Sequence, residues 1–171
     1  SLVELRLKGS GDHAIELDGV RYAKSEFAPA LAQQIAFDFD TDSEGWRPAH
    51  DLSMFSVDDG ILYATTTGGD PYMVRGNCQV PAESVKQLRI RMALEPGLSP
   101  DGQLFWTTAD NPGMDEAKSR RFSVIADGEF HEFVVPLADH ELWKGTITAI
   151  RLDPTGGDKV GQVKIDYIRG E

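Results

Sequence analysis

The chain has 171 residues, 40% of them hydrophobic and 26% charged, which is the composition of a globular domain long enough to bury a core without disulfides. Seventeen lysines and arginines stand against 28 aspartates and glutamates, and the formal charge of −11 repels a phosphate backbone, which argues against nucleic acid as a partner. No run approaches the roughly 20 apolar residues that span a bilayer, so we expect no membrane insertion.

The acidity and the cysteine content bear on the cellular compartment. An acidic excess suits a secreted or periplasmic module, a halotolerant surface, or sites for a hard cation such as calcium. The single cysteine, Cys78, cannot form an internal disulfide and therefore does not identify the compartment. Residues 1–4 lack the basic start and apolar run of a signal peptide, so we expect a native leader to lie upstream or to have been removed.

The first 34 residues carry short β patterns. Apolar and charged residues alternate over residues 3–7, which predicts a half-buried strand. Two further short strands flank Asp18-Gly19, a dipeptide typical of a hairpin turn. Residues 25–34 predict a short helical turn, limited in length by a proline. We expect residues 1–34 to be extra strands laid on the next domain, or the tail of a preceding domain.

From residue 35 the alternation is stronger and predicts about ten strands with almost no helix. Glycine and proline punctuate the chain about every 8 to 12 residues, the spacing of a sandwich or barrel. The predicted strands lie within residues 35–39, 54–57, 61–67, 72–74, 88–94, 104–106, 122–124, 133–135, 147–152 and 163–168. This pattern predicts an all-β, antiparallel β-sandwich over residues 35–171.

Several short motifs follow one another in a characteristic order. They are Phe37-Asp38-Phe39, Gly45-Trp46, Gly69-Asp70-Pro71-Tyr72, and the segments 127–133, 143–147, 150–154 and 163–168. Their order and spacing resemble the galactose-binding-like jelly rolls that occur as carbohydrate-binding modules beside glycoside hydrolases, polysaccharide lyases and other proteins of bacterial glycan metabolism. The resemblance covers residues 35–169. It implies a jelly roll in which the first matching strand, 35–39, lies close to the last, 163–168.

The resemblance also implies a function. Modules of this kind bind a polysaccharide or oligosaccharide without catalysis, as accessory domains of larger glycan-processing proteins. The expected partners of this chain are therefore a glycan and a covalently linked catalytic domain. The expected location is extracellular or periplasmic.

A structural calcium ion is a further implication, because many jelly rolls of this family hold one where the opening strand meets the closing strand. Calcium needs about six to eight oxygen ligands. Asp38, Asp40 and Asp42 recur at every second position, and Asp166 lies between apolar neighbours, an awkward place for an unpaired charge. We expect Asp38, Asp40 and Asp166 to bind the ion. The alternative is that the first three are solvated or cap a turn and that Asp166 pairs with an arginine such as Arg151.

Sugar recognition uses flat aromatic rings against pyranose faces, with planar polar side chains fixing the hydroxyl groups. Tyr72 follows a Gly-Gly-Asp-Pro loop and Trp106 lies among polar residues, so both are expected to be exposed stacking platforms. A place in the core is the alternative for each aromatic residue, and it is the better assignment for Trp46 and Trp143. The candidates for hydrogen bonding to the sugar are Asp70, Arg89, Arg91 and Arg151.

The sequence has no recognisable catalytic signature. Its four histidines lack the spacing of a zinc site, no Gly-x-Ser-x-Gly motif occurs, and Gly68-Gly69 is too short for a phosphate-binding loop. We therefore expect a non-enzymatic, glycan-binding module. Two alternatives stay open: a structural or interaction domain that packs on a neighbouring domain or partner without binding glycan, and a hydrolase or lyase whose carboxylates converge in a cleft.

Overall fold

The regular secondary structure in the described part of the chain is almost entirely β-strand. It is interrupted by two single-turn 3-10 helices, Ala82–Ser84 and Glu116–Lys118. None of the helices in this part is long and apolar enough to cross a membrane. The computed structural model describes residues 15–17, 20–22 and 31–171.

The N-terminal segment contains a two-stranded antiparallel hairpin. Strand β1 (Ile15–Leu17) pairs with β2 (Val20–Tyr22), which confirms the predicted hairpin, although its two turn residues lie outside the described part. The strand expected over 3–7 lies outside it too. Of the helical turn expected over 25–34, only the last four residues are described, and they are not helical.

Two larger antiparallel sheets build the body of the molecule. The first, sheet A, has five strands in line and a sixth short strand at one side. In spatial order its strands are β11 (Ser119–Ser123), β10 (Asp101–Thr108), β13 (Thr146–Asp153), β7 (Tyr72–Arg75) and β4 (Trp46–His50), with β8 (Val80–Pro81) pairing with β13.

The second sheet, sheet B, has the same number of strands. In spatial order they are β12 (His131–Pro136), β9 (Gln87–Leu94), β14 (Gln162–Gly170), β6 (Ile61–Thr66) and β5 (Leu52–Asp58), with β3 (Ala36–Phe37) pairing with β14. The pairing places Ile168 opposite Phe37. It confirms the prediction that the first and last strands of the resemblance lie side by side.

The two sheets pack face to face through side chains at alternate positions. Along β9, every second residue from Leu88 to Leu94 is fully buried, as a strand with one inward face requires. These residues belong to one core cluster with inward residues of sheet A, namely Trp46, Met73, Leu104, Trp106, Ile150 and Leu152. The predicted antiparallel β-sandwich is therefore confirmed.

Local chemistry explains the hairpin between β5 and β6. Asp59 and Gly60 both have positive φ, 48° and 74°, the left-handed conformation that a two-residue turn between right-twisted strands needs. Aspartate and glycine are among the residues that adopt it most readily. The turn predicted at Asp58-Asp59-Gly60 is thus confirmed.

Candidate functional site

The outer face of sheet A gathers polar and aromatic side chains from neighbouring strands. The antiparallel register places Phe105 of β10 opposite Arg151 of β13, and Gln103 opposite Asp153. Because successive side chains of a strand point to opposite faces, these four lie on the side away from the core residues Leu104 and Leu152. Arg151 and Asp153 thus emerge on one face because they are two residues apart.

Planar groups stack in a row across this face. The Arg151 guanidinium carbon lies 4.7 Å from the centre of the Phe105 ring and 3.5 Å from the centre of the Tyr72 ring. The His50 imidazole stacks nearly parallel to Tyr72, at 9° and 5.8 Å between ring centres. Strand β7 lies between β13 and β4, so Arg151 and His50 approach Tyr72 from opposite sides. We call Phe105, Arg151, Tyr72 and His50 the stacked row.

Two carboxylates fix Arg151 at the centre of the stacked row. Its Nε and Nη2 atoms donate to the carboxylate of Asp153 at 2.7 and 2.6 Å, and Nη2 also donates to Oδ1 of Asp70 at 2.8 Å. The side chains of Arg151 and Asp153 are only 17% and 13% exposed. Burial raises the pKa of Asp153, and the hydrogen bonds from Arg151 offset part of that rise. The guanidinium is therefore held in one orientation.

A small cavity of about 130 Å³ lies beside the stacked row. Its lining is mostly polar, with three carboxylates, an amide, a hydroxyl and a guanidinium. The lining residues are Gly69, Asp70, Pro71, Asp101, Gln103, Arg121, Asp153, Thr155 and Gly156. These functional groups are the ones that exchange hydrogen bonds with sugar hydroxyls.

A loop buttresses the cavity wall. The Gln103 amide nitrogen donates to the Glu116 carboxylate and to the Ser119 hydroxyl, both at 2.9 Å, so the 3-10 turn Glu116–Lys118 packs against β10. Lys118 is buried, and its ammonium group donates to the carbonyl oxygens of Asn111 (2.8 Å) and Gly113. This ammonium group anchors the loop that precedes β11.

Of the six predicted sugar-binding residues, the structure brings together Tyr72, Asp70 and Arg151. Tyr72 is half-buried rather than a free platform, because Arg151 and His50 flank its ring. Sequence reasoning missed Phe105, Asp153, Gln103 and His50. The two-residue spacing of Arg151 and Asp153 could have indicated a shared face.

The predicted exposure of Trp106 is wrong. Trp106 is fully buried on the inner face of β10, where its indole nitrogen donates to the Leu142 carbonyl at 3.0 Å and its ring meets Trp143 edge to face. The polar neighbours that suggested exposure, Gln103 and Thr107, lie on the opposite face of the same strand. Trp106 therefore stabilises the core instead of facing a ligand.

Arg89 and Arg91 lie on the outer face of sheet B, on the other side of the sandwich. Arg89 forms ion pairs with Glu132 and with Glu171, the latter at 2.8 Å. Arg91 forms an ion pair with Asp166 and lies over the Phe130 ring at 4.8 Å. Neither arginine contacts the stacked row, so the six predicted residues do not form one site.

Two of the three predicted calcium ligands form ion pairs with arginines. Asp38 pairs with Arg169 at 2.7 Å. Asp166 follows the inward-facing Ile165 and therefore points outward, where it pairs with Arg91 of the neighbouring strand β9; Arg151 lies on the other sheet. Among residues 15–17, 20–22 and 31–171 no group of three histidine, cysteine, aspartate or glutamate side chains could hold a metal ion. The carboxylates of Asp38 and Asp166 are thus occupied by arginines, and calcium binding stays an untested prediction.

The fold matches solved carbohydrate-binding modules. No protein-family model matches the chain, and no curated protein matches its sequence. A family 28 module described as specific for non-crystalline cellulose has a TM-score of 0.57 and 14% identity, over 83% of this chain and 94% of that one. A family 29 variant complexed with mannohexaose has a TM-score of 0.54 and 11% identity, over 82% and 92%.

A third similar structure comes from the gut symbiont Roseburia intestinalis. It is a family 86 module described as binding xylan with low affinity, with a TM-score of 0.52 and 10% identity, over 77% of this chain and 92% of that one. All three neighbours are jelly-roll β-sandwiches, so the fold that the sequence resemblance implied is confirmed.

Proposed function

We propose that this chain is a non-catalytic carbohydrate-binding module that recognises a polysaccharide or oligosaccharide on the outer face of sheet A. The observation that carries the proposal is the convergence of Asp70, Tyr72 and Arg151 beside a polar cavity, on a jelly roll shared with carbohydrate-binding modules. The neighbours' ligands, which are named as cellulose, mannohexaose and xylan, support a glycan as the ligand class.

The site is organised before a ligand arrives. Arg151 is held by two carboxylates and two rings, so its side chain loses little conformational entropy when a sugar binds. The carboxylates of Asp70 and Asp153 keep oxygen lone pairs that accept hydrogen bonds from hydroxyl groups. Such charge-assisted bonds are stronger than neutral ones and fix the orientation of the bound unit.

The proposal extends to an accessory role in a larger glycan-processing protein located outside the cell or in the periplasm. A module that holds its linked enzyme on a polymer raises the effective concentration of substrate at that enzyme. The formal charge of −11 suits a module that must stay soluble beside its polymer.

A second candidate function is an interaction domain that packs on a neighbouring domain or partner and binds no glycan. Two observations favour it: Trp106 is buried, and neither side of the Tyr72 ring is left open by its neighbours. This candidate predicts that the folded chain retains no glycan. The same binding experiment therefore separates the two functions.

The experiment is a glycan array probed with the intact chain and two matched variants. Asp70→Asn removes a charge that is 56% exposed and paired with Arg151, whereas Asp38→Asn removes one that is 42% exposed and paired with Arg169 on the other side of the sandwich. We expect binding to at least one glycan, weakened about tenfold by Asp70→Asn through the loss of a charge-assisted hydrogen bond, and unchanged by Asp38→Asn. Folded protein that binds no glycan would overturn the proposal in favour of the interaction domain.

A further inference from the structure

We infer that the cavity beside Arg151 takes a single neutral sugar unit at the end of a glycan chain, and that the chain beyond this unit adds little affinity. This inference rests on the proposed function. It specifies which part of a glycan the site recognises. The similarity to other modules does not specify that part.

The size of the cavity is the first argument. It measures about 130 Å³, whereas sites for drug-sized ligands measure about 300–1,000 Å³. The nine lining residues come from β10, β11, the end of β13 and the loops at 69–71 and 155–156, so the walls converge on one pocket at the edge of the sheet. One small unit fits such a space, and a run of several units does not.

The covered rings are the second argument. A chain bound along a sheet needs ring faces on which successive sugars stack. On this face Arg151 lies against Tyr72, with its guanidinium carbon 3.5 Å from the ring centre, and His50 stacks on the other side. Phe105 is only 6% exposed. The aromatic faces of the stacked row therefore contact other members of the row and are not free to stack on sugars. Hydrogen bonds in the cavity recognise the sugar instead.

The charge of the lining is the third argument. Asp70, Asp101 and Asp153 present carboxylates, and the guanidinium of Arg121, which also lines the cavity, lies near Glu116 at 3.5 Å. An excess of carboxylate accepts hydrogen bonds from hydroxyl groups but repels a uronate or a sulfate ester. The unit that fits this cavity is therefore rich in hydroxyl groups and uncharged.

The test compares chain lengths by titration of the intact chain with four neutral series, gluco-, manno-, xylo- and galacto-oligosaccharides, from monosaccharide to hexasaccharide. In at least one series we expect the Kd per chain to stay within about threefold across all lengths, at one ligand per protein. A Kd that falls more than about tenfold from disaccharide to hexasaccharide would overturn the inference while leaving the proposed function intact. The absence of binding in all four series would also overturn it, and the array decides separately whether the chain binds glycan at all.

Charge selection is tested with galacturonic acid and trigalacturonic acid at the same concentrations. We expect neither to bind at the level of the neutral unit, in low or high salt. Tighter binding of the uronates, weakened by salt, would contradict the neutral assignment. Asp70→Asn serves as the site variant. It should weaken binding of the monosaccharide and of the hexasaccharide by the same factor, since both bind through the same end unit. Unequal factors would indicate contacts along the glycan chain.

Discussion

Removal of the Arg151 guanidinium should destabilise the fold measurably. Arg151→Met keeps most of the apolar stem between Tyr72 and Phe105 but leaves Asp153, whose side chain is 13% exposed, without its cationic partner. Breaking one side of a buried ion pair costs about 3–5 kcal/mol. Both side chains keep some exposure, so we expect the lower end, about 3 kcal/mol, which corresponds to a fall in Tm of about 6–12 °C for a chain of this size.

The pH dependence of that loss identifies its cause. Burial raises the pKa of Asp153 in the folded protein, and removal of Arg151 takes away the contact that opposes the rise. At a pH below its raised pKa, Asp153 is protonated in the folded state, and no charge is buried. As the pH rises through that pKa, Asp153 ionises without a cationic partner and the free energy of unfolding falls. Arg151→Met should therefore lose less free energy of unfolding at pH 5 than at pH 7, measured by urea denaturation.

Two controls make the result interpretable. Arg121→Met removes an arginine that is 70% exposed and should cost less than about 0.5 kcal/mol. In a double-mutant cycle with Asp153→Asn, the double variant should lose about 2 kcal/mol less than the sum of the two single variants. A loss below about 0.5 kcal/mol for Arg151→Met, or one that is equal at both pH values, would refute the reasoning.

Three other predictions follow from the same structure. Trp106→Ala should lower the free energy of unfolding in chemical denaturation by about 3–5 kcal/mol, because it leaves a cavity at a fully buried site. The glycan affinity of the protein that remains folded should not change; a loss of binding without a loss of stability would show that Trp106 belongs to the site. Lys118→Met should lower the free energy of unfolding by about 1–3 kcal/mol, because the carbonyl oxygens of Asn111 and Gly113 lose their buried donor. An unchanged Tm would show that this ammonium group does not anchor the loop. Because Asp38 and Asp166 are paired with arginines, calcium and its chelator should change Tm by less than about 1 °C; a calcium-dependent rise that Asp166→Asn abolishes would restore the calcium prediction.

Local patterns in the sequence were sufficient to predict most of the strands of the sandwich, but they missed β4 (Trp46–His50) and β8 (Val80–Pro81). The alternation from Leu88 to Leu94 reflects one inward and one outward face, and the turn at Asp59-Gly60 needs the left-handed backbone that these residues accept. The prediction that the first and last strands of the sandwich lie in contact came from the family resemblance, since no local pattern specifies which distant strands pair.

The site was harder to predict because it depends on contacts between distant strands. Trp106 was misassigned because polar neighbours in a strand lie on the opposite face, and here that face is itself covered by the turn around Glu116. Whether the Tyr72 ring is open depends on Arg151 of β13 and His50 of β4, whose approach follows from strand order rather than from the residues around Tyr72. The pairing of Asp166 with Arg91 likewise follows from the neighbouring positions of β14 and β9 in sheet B, which the residues around Asp166 do not specify.

Chemical-shift mapping on the isotope-labelled chain locates a bound sugar most directly. Cellohexaose, mannohexaose, xylohexaose and a galacto-oligosaccharide of the same length would each be titrated while the backbone amides are followed. We expect at least one to shift the amides of Gly69, Asp70 and Gly156, which line the cavity on sheet A, and to leave those of Arg89 and Arg91 unmoved. Shifts confined to the two arginines on sheet B, or no shift with any of the four, would contradict a glycan site on this face.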